Sequence, residues 1–245
     1  MLYKFADFYI EMSPLYDYTL GMAKYFICNE DISEDKIIHI GKNITEEFCK
    51  QVKVKESHLS LGEIEHMYLA AEFFQKILDY DSIMIHASAL KYNGMCYLFS
   101  APSKTGKSTH TKLWKKVYGN DVTIINDDKP IVRLIDDKLY AYGTPFAGGT
   151  YGFIDDRAEL SSIVFVKRGL KNSIRKITAK EAIPQLFNET VRKVGKELMF
   201  KVLDMLERVI NYADFYEITC NMDEEAAVLA HDTIVKDINK NCNIE

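Results

Sequence analysis

The stretch Ala101-Pro102-Ser103-Lys104-Thr105-Gly106-Lys107-Ser108-Thr109 has the residue types that hold phosphate. It fits the pattern G-x-x-x-x-G-K-[ST] everywhere except its first position, which is Ala101. In such a loop the backbone N–H groups of Ser103, Lys104, Thr105, Gly106, Lys107, Ser108 and Thr109 gather at a helix N-terminus, whose dipole adds partial positive charge. Gly106 lets the backbone approach the phosphates, Lys107 reaches the β- and γ-phosphates, and the Ser108 hydroxyl ligates Mg²⁺. Lys104 fills a second place that is often glycine. There it adds a cation, but at either Lys104 or Ala101 a demand for positive φ would strain a residue with a side chain by about 1–2 kcal/mol. The competing reading is an ordinary loop of turn residues with Lys107 solvated; a strand before it and a helix after it decide for phosphate.

Asn126-Asp127-Asp128 follows, with room for one helix and one strand after Lys107. In a parallel sheet that spacing returns the chain to the edge where the loop sits. Of two adjacent carboxylates there, one can hold Mg²⁺ and the other can accept a proton from an attacking hydroxyl. Alone the tripeptide is turn chemistry; beside a phosphate loop it reads as function. Lys129 and Arg133 are either cations that steady a transferring phosphoryl group or plain surface charges. His86, in the apolar run Ile83-Met84-Ile85-His86-Ala87, is either a satisfied core histidine or a partner of an active-site aspartate. His39, His58, His66, His110 and His231 have no metal-ligand spacing and read as surface or packing residues. Gly143-Thr144-Pro145-Phe146-Ala147-Gly148-Gly149 is a second Gly-rich stretch, either a lid or substrate loop or a simple connection.

The elements that position these residues can be read from periodicity. Residues 1–60 suggest short strands, at Phe5–Met12, Tyr25–Cys28 and Lys36–Ile40. From Gly62 a helix is expected, with Ile64, Met67, Tyr68, Ala71, Phe74 and Leu78 on one face. Ile83–Leu90 and Met95–Ser100 are expected as strands joined by Asn93-Gly94, a hairpin signal because both residues tolerate positive φ. The second strand runs into the phosphate loop, and Thr109–Tyr118 is expected as a helix. Val122–Ile125 is a strand, Ile131–Ile135 and Leu139–Tyr142 a hairpin around Asp136-Asp137, and Ser162–Val166 and Phe215–Cys220 further strands. Helices are expected at Ala179–Asn188, at Val194–Ile210 and from a cap at Asp223 to about Ile238.

The 245 residues carry a formal charge of −5 and 47% hydrophobic side chains, enough for a full core. No long basic run supports nucleic-acid binding, and no apolar run approaches the roughly 20 residues of a membrane span. The N-terminus lacks the order of a signal peptide. Cys28, Cys49, Cys96, Cys220 and Cys242 form no C-x-x-C pair, which fits a reducing compartment, so a cytoplasmic location is expected. There is no repeat or linker; a strand-rich region 1–60 followed by one compact unit over 61–245 is the expected organisation.

His86-Ala87-Ser88, the hairpin, the 101–109 loop and Asn126-Asp127-Asp128-Lys129-Pro130 together resemble the HPr kinase/phosphorylase superfamily, which shares its core with phosphoenolpyruvate carboxykinases. The resemblance is greatest to small bacterial HPr-kinase-like proteins of peptide-modification systems, including lasso-peptide precursor kinases. It covers about residues 80–150 and, more weakly, Ser162–Gly169 and Asp214–Glu225. It implies an α/β fold with a P-loop core, a mixed sheet, a strand-rich N-terminal region and an α/β C-terminal region. It also implies that Lys107 is the phosphate-loop lysine, Ser108 the metal-binding hydroxyl, Asp127 the catalytic aspartate, Asp128 its acidic neighbour, and His86 a histidine near that pair. ATP and Mg²⁺ are the implied cofactors and homo-oligomers the implied assembly, although no interface is legible. The family's usual glycines are absent at Ala101 and Lys104, and Gly148-Gly149 stands where small relatives carry Gly-Lys. The signature of the phosphorolytic reverse reaction is not recognisable, so neither that reaction nor HPr as acceptor is expected.

The expected activity is transfer of the γ-phosphoryl group of Mg·ATP to a hydroxyl, serine foremost, on a peptide or protein. Asp127 is the base, His86 tunes it, Ser108 and Asp128 hold Mg²⁺, and Lys129 and Arg133 are auxiliary cations. The alternatives are a nucleotide-binding regulatory or scaffold protein without turnover and, with less support, a carboxykinase-like decarboxylating enzyme.

Overall fold

The hairpin signal at Asn93-Gly94 and the β-branched run after the phosphate loop are enough to build the part of the fold that matters. The computed structural model describes residues 1–148, 152–191 and 194–242, with side chains as far as residue 237. Asn93 and Gly94 both take positive φ, 49° and 80°, and join β5 (Ala87–Tyr92) to β6 (Met95–Ser100) as an antiparallel pair. β6 runs through residues 101–106 into a helix, and the chain returns as β7 (Val122–Asp128), antiparallel to β5 on its other side. β6 and β7 therefore point the same way with β5 between them, and both end at the edge where β5 begins.

The remaining elements enclose this unit. β1 (Leu2–Phe5), β2 (Phe8–Glu11) and β3 (Ile37–His39) form a small sheet at the N-terminus. β4 (Ser82–Met84), β8 (Ile131–Ile135), β9 (Lys138–Tyr142), β10 (Arg157–Arg168), β11 (Ser173–Lys176) and β12 (Asp214–Cys220) complete the larger one. Among the described residues it is a mixed nine-stranded sheet running β4-β8-β9-β10-β6-β5-β7, with β12 parallel to β10 and β11 at its side. The helices are α1 (Asp17–Ala23), α2 (Glu46–Lys55), α3 (Leu61–Lys76), α4 (Lys107–Tyr118), α5 (Ala179–Asn188), α6 (Lys196–Tyr212) and α7 (Glu224–Cys242). α4 and α7 cover one face around Trp114, Tyr97, Phe99 and Tyr216. α5 and α6 cover the other around Leu98, Ile163, Leu186 and Met205. A third core, rich in phenylalanine, ties the N-terminal sheet and α3 to β8, β9 and Phe146.

The α/β class and the mixed sheet agree with the sequence reading, and several elements correct it. The run Phe5–Met12 is the end of one strand, a turn at Ala6-Asp7 and a second strand. Tyr25–Cys28 is not a strand; a 3-10 turn occupies Lys24–Phe26, and Ile27 makes a single bridge to Tyr3. Region 1–60 also contains α1 and α2, so it is not built of strands alone; α2 buries only Cys49, leaving little helical period to detect. α3 exists, started by a reciprocal Ser60–Glu63 capping box; of its expected face Ile64, Phe74 and Leu78 are buried, and the rest is turned outward. Gly62, His66, Leu69, Ala70 and Phe73 are buried, while Met67 and Ala71 are exposed. Ile83–Leu90 is two strands, β4 and β5, which pair with different neighbours and leave His86 between them.

Candidate functional site

The register of three strands assembles the site. Ala87, the first residue of β5, pairs with Ser100 at the end of β6 and with Asp128 at the end of β7; Ser88 pairs with Asp127. His86, Ala101 and the acid pair therefore share one sheet edge. Asp127 and Asp128 are the last residues of a strand, not a turn. From Ala101 the loop passes a turn closed by Thr105 N–H donating to Pro102 O at 3.2 Å and reaches Gly106, at φ 123°, which opens α4. The strand before and the helix after are the context that favours phosphate over a plain turn. Of the two non-glycine positions in question, only Lys104 has positive φ, at 64°; Ala101 is buried and carries no such strain.

Lys107 is 7% exposed and folds back over the loop. Its Nζ donates to Ala101 O at 2.8 Å and lies 3.0 Å from His86 Nε2. Burial pulls its ammonium below the usual range, against the attraction of Asp128, Glu189 and Asp127. His86 Nδ1 lies 2.6 Å from Glu189 Oε2, and the His86 N–H donates to Glu189 O at 2.7 Å. The carboxylate makes Nδ1 the protonated nitrogen and leaves Nε2 to accept from Lys107 or, once protonated, to donate to Asp128 Oδ1 at 3.3 Å. Burial pushes the Asp128 carboxyl up, but the His86 hydrogen bond and the Lys129 charge outweigh it and hold the group ionised, with a pKa of about 2. Lys129 pairs with the other Asp128 oxygen. The result is a row, Lys107–His86–Asp128–Lys129, across the ends of three strands.

Asp127 is beside this row, and its buried Oδ1 finds no hydrogen-bond partner among the described residues. A buried carboxylate oxygen without a partner is costly unless a cation or a donor arrives from outside the chain. Among the described residues no group of three His, Cys, Asp or Glu side chains could hold a metal. A bound cation would therefore need the Ser108 hydroxyl and oxygens of a ligand besides these carboxylates. Ser103, Lys104, Thr105 and Thr109 lie on the loop and first turn as expected.

Arg133 is not brought to the site. It donates to Ala6 O and lies 3.9 Å over the Phe8 ring, in the N-terminal core. The stretch from Gly143 to Ala147 is buried, Phe146 fully so, and is part of the core rather than a free lid. Gly143 is needed there because a Cβ would meet Ile154 O at 1.9 Å. Gly149 lies outside the described residues.

Two residues were not found in the sequence. Glu189, just past α5, joins His86 from 103 residues away. Arg168, at the end of β10, donates through Nε to Thr105 O at 3.0 Å and through its terminal nitrogen to Lys104 O, so it clamps the loop where the backbone is strained. Neither has a local motif; only the pairing of β10 with β6 and the packing of α5 on the sheet create them. Cavities of about 320 Å³, between Gly106, His110, Val166 and Met222, and about 450 Å³, between Ala101, Arg168 and Glu189, adjoin the loop.

No protein-family model matches the chain, and no curated protein matches it in sequence. Among solved structures, the Hpr(Ser) kinase/phosphatase from Coxiella burnetii matches with 12% identity and a TM-score of 0.38, over 65% of this chain and 98% of that one. The likeness is a distant one, of structure alone. Four cysteines, Cys28, Cys49, Cys96 and Cys220, are free, and no helix among the described residues is long and apolar enough to cross a membrane.

Proposed function

We propose that this chain is an ATP-dependent kinase that transfers the γ-phosphoryl group to a hydroxyl of a peptide or protein, with serine the first candidate. The observation that carries the reading is the row Lys107–His86–Asp128–Lys129 beside a loop that opens a helix, with the unpartnered Asp127 oxygen next to it. The loop N–H groups and Lys107 take the β- and γ-phosphates. Ser108 and Asp128 are the residues that would hold Mg²⁺, whose chemistry is to neutralise charge on the phosphates. Asp127 accepts the acceptor's hydroxyl proton. The new bond joins that oxygen to the γ-phosphorus, and the bond to the departing ADP oxygen breaks. His86, oriented by Glu189, steadies Asp128 and the Lys107 ammonium.

A nucleotide-binding protein without turnover is the second reading; the strained Lys104 and the tethering of Lys107 to Ala101 O favour it. The test is an Asp127→Asn variant assayed with radiolabelled ATP and serine-containing peptides. Transfer should fall by about 10³-fold with ATP affinity retained. Unchanged transfer would remove the base assignment, and ATP binding with no transfer by the wild type would leave the second reading.

A further inference from the structure

Beside Lys129 lies a cavity of about 660 Å³. One wall is helix α3, through Met67, Ala70, Ala71 and Phe74; the other is formed by Phe146, Ala147, Gly148 and Val191. The cavity opens to solvent at Met67, which is 43% exposed, and its inner end is lined by Lys129 and Gly148, the two residues that flank Asp128. A Cβ on Gly148 would sit 3.3 Å from Asp128 Cβ, so glycine there leaves the carboxylate open to the cavity. The order is loop, Lys107, His86, Asp128, Lys129, cavity. Phosphates on the loop and a hydroxyl in the cavity would thus meet around Asp128, which contacts His86 on one side and Lys129 on the other.

The lining selects the occupant. Lys129 is the one cationic side chain among the lining residues, and Asp128 already pairs with it. His66 is also on the wall, but burial and the nearby Lys129 charge pull its pKa down to about 4, so it stays neutral. An acidic or basic group entering this cavity would lose water and gain no free counter-ion, whereas an apolar side chain gains contact with Met67, Phe74 and Met84. The length fits a peptide. Met67 to Phe74 advance about 10 Å along the helix, the reach of roughly three residues of extended chain. The volume falls within the ordinary range of ligand pockets, about 300–1,000 Å³.

We infer that this cleft receives the acceptor, an extended peptide segment whose hydroxyl residue lies at the Lys129–Gly148 end and is flanked by large apolar residues seated against α3. The inference rests on the kinase reading and adds to it the substrate class. The N-terminal region, through α3, then serves as the recognition element for the acceptor.

The experiment uses the full chain, Mg·ATP and an array of fluorescent nine-residue peptides with a central serine, flanked by Leu or Phe, by Asp, or by Lys. Transfer and, with Mg·ADP in place of ATP, anisotropy are both read. The expected result is at least tenfold lower KM and tighter binding for the Leu and Phe peptides. Ala71→Trp, at an exposed position that fills the cleft, and Met67→Asp should each remove that preference about tenfold while ATP affinity stays as in the wild type, and Met67→Leu should keep it. Equal KM and binding across the flanks, or an Ala71→Trp protein that retains the preference, overturns the inference even if transfer is seen. Transfer to no peptide, with ATP bound, defeats the kinase reading. The cleft is then judged by anisotropy alone, where flank-independent or absent peptide binding overturns it and Trp-sensitive binding of the apolar peptides upholds it.

Discussion

Two ionic clusters in this molecule draw on the same side-chain types and are wired differently. Around Arg133 the groups answer one another: Tyr142 Oη donates to Asp7 at 2.6 Å, Arg157 donates to Asp7 and to Tyr142, and Arg133 donates to Ala6 O over the face of Phe8. Around His86 the accounts stay open. A buried ammonium faces an imidazole nitrogen, Asp127 keeps an oxygen without a partner among the described residues, and Lys104 holds a left-handed backbone at the loop. The first cluster leaves one donor unmatched among the described residues, the buried Arg133 Nε, whereas the second leaves a carboxylate oxygen open to a cation or donor from outside the chain. The distinction is in how charges are satisfied, not in how many there are.

The largest effect expected from this contrast is on function. Lys107→Met should lower kcat/KM for ATP by about 10³-fold, about 4 kcal/mol, with the urea midpoint unchanged or raised, because a desolvated ammonium is removed. Coupled loss of folding stability in urea titrations would make Lys107 structural and erase the contrast.

A pH series sharpens it next. His66, on the wall of the cavity beside Lys129, and His110, under the loop, are both buried, and burial pulls each to about 4. An unfolded histidine titrates near 6.5. Because the folded values are the lower ones, their contribution is complete above pH 6.5 and is lost as pH falls from there toward 4. Between pH 7 and 5 the two together should cost roughly 3 kcal/mol, read by urea melts, and His66→Gln should remove about half of that slope. A flat profile would mean that both rings take up their protons inside the fold.

Arg133→Met should lose about 2 kcal/mol of stability through the carbonyl left without its donor and the lost contact with Phe8, with ATP affinity unchanged by titration calorimetry. A fall in ATP affinity would place Arg133 in the open cluster after all. The smallest effect is at the loop: Lys104→Gly should raise stability by about 0.5–1 kcal/mol in urea melts by relieving the positive φ. A loss of that size instead would show that the Lys104 side chain, not its backbone, is the stabilising part.

What the sequence disclosed follows the range of the interactions. The Asn93-Gly94 turn, the loop with its flanking strand and helix, and the acid pair at a strand end are set by neighbours in the chain, and they were legible. The break at Ile85-His86 was not, because an apolar run does not reveal where the pairing partner changes from β8 to β6 and β7. The face of α3 was misjudged because both its sides carry apolar residues, Met67 and Ala71 on one and Leu69 and Phe73 on the other. Glu189 and Arg168 depend on tertiary pairing alone, and Arg133 went the other way when the N-terminal sheet captured it.

The Glu189 contact has a consequence in time as well as in space. Loop, acid pair and histidine are all synthesised before residue 130, but the carboxylate that orients the imidazole is added near residue 189, and β10, which carries the loop's clamp, must insert first. A nascent chain emerging from the ribosome can thus form the phosphate cradle early, yet its histidine stays unaligned until the later segment docks. On the kinase proposal, phosphoryl transfer would then wait for the later segment, a consequence of chain order alone.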